Sequence, residues 1–169
     1  MSQLRSMVHR LIGEAQDELF GKLMVVTDEG GVPSINWDNT VNQLSETKVG
    51  WSFLDDERNK FSAHKEWWLF EQLYQEQALR EQFLDDDGLL KPGAGEAYQR
   101  HVEQFLELLL ILIHLCAGQP SCATEILGLR WKNTANGGVQ NVIIENRLVG
   151  LVGQYHKGYR SSGNIKIIH

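Results

Sequence analysis

The stretch from Phe105 to Ala117 is apolar except for Glu107 and His114, and it limits what the rest of the chain can become. Tyr98, Val102, Phe105, Leu106, Leu109, Leu112, Ile113 and Cys116 recur at three and four residues. That period predicts a helix from about Gly95 to Ala117, with Gly118 as its stop. Leu108, Leu110, Ile111 and Leu115 carry apolar surface around its C-terminal half. A helix apolar on nearly all sides is expected at the centre of a fold. His114 is then expected as a satisfied core or boundary histidine. The run is well short of the roughly 20 residues that a membrane span needs.

The other elements are expected around this helix. Leu4, Met7, Val8, Leu11, Ile12, Ala15, Leu19 and Leu23 predict an amphipathic first helix, with Ser2 as a cap. Residues 28–50 hold Gly, Pro, Asn, Asp, Ser and Thr without a lasting period and predict a loop or linker. Trp67, Trp68, Phe70, Leu73, Tyr74, Leu79 and Phe83 predict one further helix, with Glu76 and Arg80 as an i,i+4 pair. Asp85, Asp86, Asp87 and Gly88 close it as a solvated turn. After Pro120, Ser121 is a plausible cap for a short helix. Lys132 to Gly138 reads as a turn. Val142 to Ile144, Leu148 to Tyr155 and Ile165 to Ile168 read as three strands, with a turn at Glu145 and Asn146. The expected class is α+β, mostly helical, with a small three-stranded antiparallel β-meander at the C-terminus. The expected segments are 1–27 (helical arm), 28–50 (linker), 51–94 (helical) and 95–169 (core). The sequence stops at His169 at the end of an apolar strand, so a fragment is expected.

Composition narrows the function classes. Apolar residues make up 42% of the 169, enough for one packed domain. The first helix carries Glu14, Asp17 and Glu18 and lacks a signal peptide's continuous apolar stretch, so a soluble intracellular protein is expected. The two cysteines, Cys116 and Cys122, form no Cys-x-x-Cys pair, and both are expected reduced. Residues 1–96 hold 9 Lys and Arg against 18 Asp and Glu, whereas residues 97–169 hold 7 against 4. The basic excess follows Gly118, in Arg130, Lys132, Arg147, Lys157, Arg160 and Lys166. An acidic whole argues against non-specific nucleic-acid binding. A basic C-terminal part leaves room for a local phosphate-contacting face.

Nucleotide hydrolysis is rejected. Gly158 and Gly163 have the spacing of a phosphate loop, but Asn164 and Ile165 stand where Lys and Ser or Thr are required. A zinc site is not supported, because His114 and Cys116, two apart on a helix, point to different sides. The acidic triplet lacks the spacing of a calcium loop. No cofactor is expected.

The C-terminal part of the chain reads "PSCATEILGLRW", then "QNVIIEN" and "RLVGLVGQYHKGYRSSGNIKIIH". With these residues the segment from Ser121 to His169 resembles the front half of a tyrosine recombinase catalytic domain. In that family a buried helix leads to a box of Arg, two residues and Glu with an aliphatic tail, then a small antiparallel sheet with a Lys in a turn. The resemblance places Glu125, Leu129 and Trp131 on the supporting positions of the box and Lys157 on the turn lysine. Such a lysine protonates a leaving oxygen, while cations clamp the scissile phosphate. Over most of its length the chain also resembles large fungal open reading frames of chromosome ends and mobile elements, many of which carry a RecQ-like helicase. "GWSFLDDERN", "EWWLFEQLY", "FLELLLILIHLCAGQPS" and "TEILGLRWKNT" carry that likeness.

Two departures matter. Cys122 stands where the family has its first catalytic Arg, and a thiol offers no fixed cationic fork. The family's downstream His-x-x-Arg box and nucleophilic Tyr would follow His169. The resemblance therefore implies a truncated, catalytically inactive DNA-associated module with a degenerate site at Cys122, Glu125 and Lys157, and a nuclear location. Duplex DNA is its expected partner, through Arg130, Lys132, Lys157, Arg160 and Lys166. The alternative is an inactive gene remnant, or a module binding another protein through the N-terminal helices.

Overall fold

The computed structural model describes residues 2–26, 37–38, 40–61, 67–116, 126–153 and 166–168. About half of these are helical, and an antiparallel sheet accompanies them, which agrees with the expected mix of helix and strand. Packing groups the chain into two compact units, residues 1–33 with 64–113 and residues 34–63 with 114–169. This grouping cuts across the expected segments. Residues 40–50 lack helix and strand, as a linker would, but they are bonded into the second unit. No helix among the described residues is long and apolar enough to cross a membrane.

In the first unit, α1 (Ser2–Gln16) follows the expected stripe, with Ser2 as its first helical residue. The chain then widens into a π-helical segment, Asp17–Leu23, which the period does not foretell. Glu18 and Leu23 are buried there and Ala15 near the end of α1, whereas Leu4, Met7 and Ile12 are exposed. The single helix expected over residues 67–83 is two, α2 (Trp68–Gln75) and α3 (Gln77–Phe83). Glu76 between them is extended. In one continuous helix Leu73 and Leu79 would lie about 120° apart around the axis. The break lets each be buried separately. Glu76 serves as the cap of α3, where its carbonyl accepts from the Arg80 N–H, and the expected side-chain pair with Arg80 is not among the ion pairs of the described residues. The acidic triplet forms the expected turn. Asp85 Oδ1 accepts from the Asp87 and Leu89 N–H groups at 3.1 and 2.9 Å, and Gly88 takes a φ of 77°.

Helix α4 (Ala94–Cys116) has nearly the expected bounds but not the expected burial, since none of its residues is buried. Leu106 is 54% exposed and Leu110 and Ile111 44% each, and His114 is exposed too, not a core histidine. A helix apolar on every side needs cover on every side. The ring contacts and hydrogen bonds that tie α4 to other elements, among the described residues, fall in its N-terminal half. Tyr98 meets Phe83 edge-on at 6.5 Å and donates to the Leu23 carbonyl at 3.1 Å, and His101 Nδ1 bonds the Glu18 carboxylate.

Burial pushes the Tyr98 phenol above the ordinary tyrosine range. A group whose value is raised by folding favours the folded state below its unfolded value. That contribution is lost as the pH climbs through the raised one. In an alkaline absorbance titration, Tyr98→Phe is expected to remove a step that lies above the ordinary tyrosine range. A Tyr98→Phe variant that loses no such late step would contradict this placement.

In the second unit, β1 (Val142–Glu145) and β2 (Leu148–Gly153) form a hairpin pairing Val142 with Leu151 and Glu145 with Leu148. Its turn is one residue later than expected, at Asn146 and Arg147, with φ of 52° and 65°. A two-residue hairpin turn of this hand needs positive φ at both positions, which Asn tolerates well. Residues Lys166–Ile168 (β3) run antiparallel to β2, with Gly153 opposite Lys166. Ile143, Ile144 and Val152 are buried, as is Phe53, which meets Phe61 edge-on at 6.0 Å. Two short 3₁₀ turns, Phe53–Asp55 and Glu57–Asn59, lie between these two rings in sequence. The short helix expected from Ser121 lies outside the described residues, apart from a single turn beginning at Ile126.

Candidate nucleic-acid interface

Two of the predicted nucleic-acid contacts, Arg130 and Lys132, have described side chains, and both lie on one loop. That loop runs from Leu129 to Asn141 and leads into β1. It has no regular structure, so its shape must come from side chains that stand in for a backbone ladder. Asn133, which is 3% exposed, does most of this. Its Nδ2 donates to the carbonyls of Glu46 and Lys48 at 2.8 and 3.0 Å, and its Oδ1 accepts from the Gln140 N–H at 2.8 Å. Its backbone pairs with residues 50 and 51, through Gly50 N–H to the Asn133 carbonyl and Asn133 N–H to the Trp51 carbonyl.

Gln140 and Asn141 continue the pattern. Gln140 Oε1 accepts from the Phe53 N–H at 2.7 Å, and its Nε2 donates to the Val142 carbonyl at 2.9 Å. Asn141 Oδ1 accepts from the Arg130 N–H at 2.6 Å, and its Nδ2 donates to the Gly128 carbonyl at 3.0 Å. The Ser52 hydroxyl, fully buried, donates to the Trp131 carbonyl at 2.7 Å. Farther along, Asn42 takes both the N–H and the carbonyl of Ile144, and Asn59 spans Val41 and Phe53. No buried side-chain nitrogen or oxygen among the described residues is left without a partner. The backbone of residues 130, 131 and 133 is thus held from both flanks.

The cationic side chains project from this framework. Arg130 is half-buried, and its Nη1 donates to the Gly128 carbonyl at 3.0 Å. Gly138 makes room for it, because a Cβ there would come within 2.5 Å of Arg130 Nε and 2.7 Å of Thr134 Oγ1. Lys132 is exposed, with its ammonium 4.5 Å above the centroid of the Trp131 ring. Trp131 itself is 52% exposed. Lys48 is exposed as well, and its carbonyl rests on Asn133. Arg58 and Arg147 are engaged elsewhere. Arg58 binds Asp56 and holds that carboxyl below the usual carboxylate range through its side-chain hydrogen bonds, and Arg147 pairs with Asp38 at 3.4 Å.

Leu129 and Trp131, expected as the tail of the recombinase-like box, lie at the start of this loop. Lys166 is placed on β3 by its backbone. Cys122, Glu125, Lys157 and Arg160 lie outside the described residues. Among the described residues no group of three or more His, Cys, Asp or Glu side chains is placed to hold a metal ion. The carboxamide framework is not foreseen by the sequence reading. Its one signal is the density of Asn, Gln and Ser around residues 40–59 and 133–141, which also reads as ordinary loop. No protein-family model, curated protein or solved structure matches the chain.

Proposed function

We propose that the second unit is a recombinase-like, DNA-associated module without strand-cleaving chemistry of its own. The observation that carries this reading is the pair Arg130 and Lys132 on a loop fixed by three buried carboxamides next to an antiparallel sheet. Cations on a tethered loop beside a sheet suit phosphate contact, and the basic balance after residue 97 favours it. By the resemblance to tyrosine recombinases, the sheet is the family's three-stranded meander and Cys122 replaces its first catalytic Arg, so phosphate is bound without being cleaved. A nuclear location belongs to the same reading.

Anisotropy titrations of the full chain with duplex DNA at low and moderate salt test it. Binding is expected to weaken steeply with salt. Arg130→Ala and Lys132→Ala, and likewise Lys157→Ala and Arg160→Ala, are each expected to make the log–log salt slope shallower by about 0.9 for every phosphate left unneutralised. Binding that is absent, or that ignores salt, would overturn the proposal.

One observation favours a second reading, a helical protein-interaction module. The exposed leucines and isoleucine of α4, with Trp67 62% and Tyr74 64% exposed, offer apolar surface of the kind that partners cover.

A further inference from the structure

A large aromatic side chain at the surface, under a cation and on a rigid backbone, is an unusual combination. Burying an indole is strongly favourable, so its exposure calls for a reason. Trp131 is 52% exposed. Its carbonyl is tied by the Ser52 hydroxyl, and its neighbours Arg130 and Asn133 are tied by Asn141, Gln140, Gly50 and Trp51. Among the described residues, the one group placed over the Trp131 ring is the Lys132 ammonium, on a side chain that is itself exposed. Lys48 comes up beside the same loop through its carbonyl contact with Asn133. Glu46 is the acidic residue that hydrogen bonds place here, and its Oε1 is already occupied by the Lys48 N–H.

The other strongly exposed indole makes a useful contrast. Trp67 stacks obliquely on Phe70 at 5.7 Å, and its carbonyl accepts from the Glu71 N–H. No cation lies over its ring among the described residues, so a polyanion gains nothing there. Trp131 differs because aromatic surface and positive charge coincide.

We infer that Trp131 is a stacking platform for an unpaired base, with Lys132, Lys48 and Arg130 meeting the adjoining phosphates, so that the same loop takes single-stranded nucleic acid in addition to duplex DNA. This rests on the nucleic-acid reading above and sharpens it. On binding, a base takes the place of the Lys132 ammonium over the indole, and the ammonium moves to a phosphate. A base inside a duplex cannot make that exchange, because both its faces are already stacked. Stacking on an aromatic side chain tolerates any base, so little sequence preference is expected.

The test uses the full chain with a fluorescein-labelled oligothymidylate and, separately, a mixed-sequence duplex of the same length. Trp131→Ala is expected to weaken single-strand binding about fivefold to a hundredfold and to leave duplex binding nearly unchanged. Trp131→Phe is expected to recover most of the loss. Circular dichroism of both variants should match the parent, since the ring is half in solvent. Single-strand binding unaffected by Trp131→Ala, or duplex binding lost in equal measure, would overturn the stacking role while leaving the DNA reading standing. No salt-dependent binding of either form would overturn both. Self-association abolished by Trp131→Ala, with no nucleic acid bound, would overturn the stacking role too and assign the surface to a protein partner.

Discussion

Asn133→Ala is expected to destabilise the second unit by about 3 kcal/mol. The side chain makes three hydrogen bonds while 3% exposed. Truncation leaves the Gln140 N–H, itself buried, without this acceptor and the Glu46 carbonyl without this donor, whereas the Lys48 carbonyl keeps the Trp51 N–H at 3.1 Å. A buried group left unpaired costs about 1–3 kcal/mol, whereas the net gain from an intact hydrogen bond is about 1 kcal/mol. The loss is therefore set by what remains behind. Asn133→Asp separates the two effects. It keeps the acceptor for Gln140 but loses both donors and places a charge against two carbonyls, so it is expected to be no better than Ala. Denaturant unfolding followed by tryptophan fluorescence measures both variants, and hydrogen exchange at Gly50 and Asn133 reports the loop directly. A loss below about 1 kcal/mol for Asn133→Ala would mean that water replaces the side chain without penalty.

This framework also shows where sequence reading stops. Periodic features are legible. The stripe of α1, the bounds of α4 and the apolar strands Val142–Glu145 and Leu148–Gly153 all follow from spacing. Such features arise from one-sided burial, which leaves a repeating trace in the order of residues. The carboxamide bonds leave none, because Asn42 and Ile144 or Phe53 and Gln140 meet across about a hundred residues with no local rule joining them. Segments 40–50 and 133–141 therefore resemble free loop, although Asn133, Gln140 and Asn141 are buried and paired. The break at Glu76 is hidden for a related reason, since a helix-compatible run of residues does not reveal that Leu73 and Leu79 need different approaches to cover. For α4 the apolar surface is as expected and the burial is not. Composition states what a surface prefers, not whether anything covers it.

The same distinction bears on the candidate site. Arg130, Trp131 and Lys132 are legible as basic and aromatic residues after Gly118, but not as a fixed group. What ties the backbone of Arg130 and Trp131 is Asn141 and Ser52, neither of which carries charge or any motif. A binding loop on a rigid frame loses less freedom when its ligand arrives. The stability of this framework and the affinity for nucleic acid are thus expected to fall together in Asn133→Ala but separately in Trp131→Ala.

His101→Ala is expected to cost the first unit about 2 kcal/mol, by a different route. Glu18 lies in the π-helical segment with its side chain 9% exposed, and His101 Nδ1 from α4 bonds its carboxylate. Removing one partner of a buried ionisable pair typically costs about 3–5 kcal/mol, because a charge is left in poor solvent. The His101 ring is 39% exposed, so water reaches the vacated position and the cost is reduced. If the pair is retained for stability, the double variant Glu18→Leu with His101→Leu must also be poor. Burial physics points the other way. Two leucines have no desolvation penalty, so the double variant is expected to match or exceed the parent. A double-mutant cycle in denaturant decides this, and a strongly unstable double variant would show that the pair contributes more than it costs. The contact joins the π-helical segment to the N-terminal half of α4, as the bond from Tyr98 to the Leu23 carbonyl does. Leu23 is buried and its carbonyl is held by Tyr98 of α4, so this second link survives in the double variant while the ionisable pair is gone. A stable double variant in which Tyr98 still ionises late would then show that the Tyr98 bond to the Leu23 carbonyl, and not the pair, holds the segment to the helix.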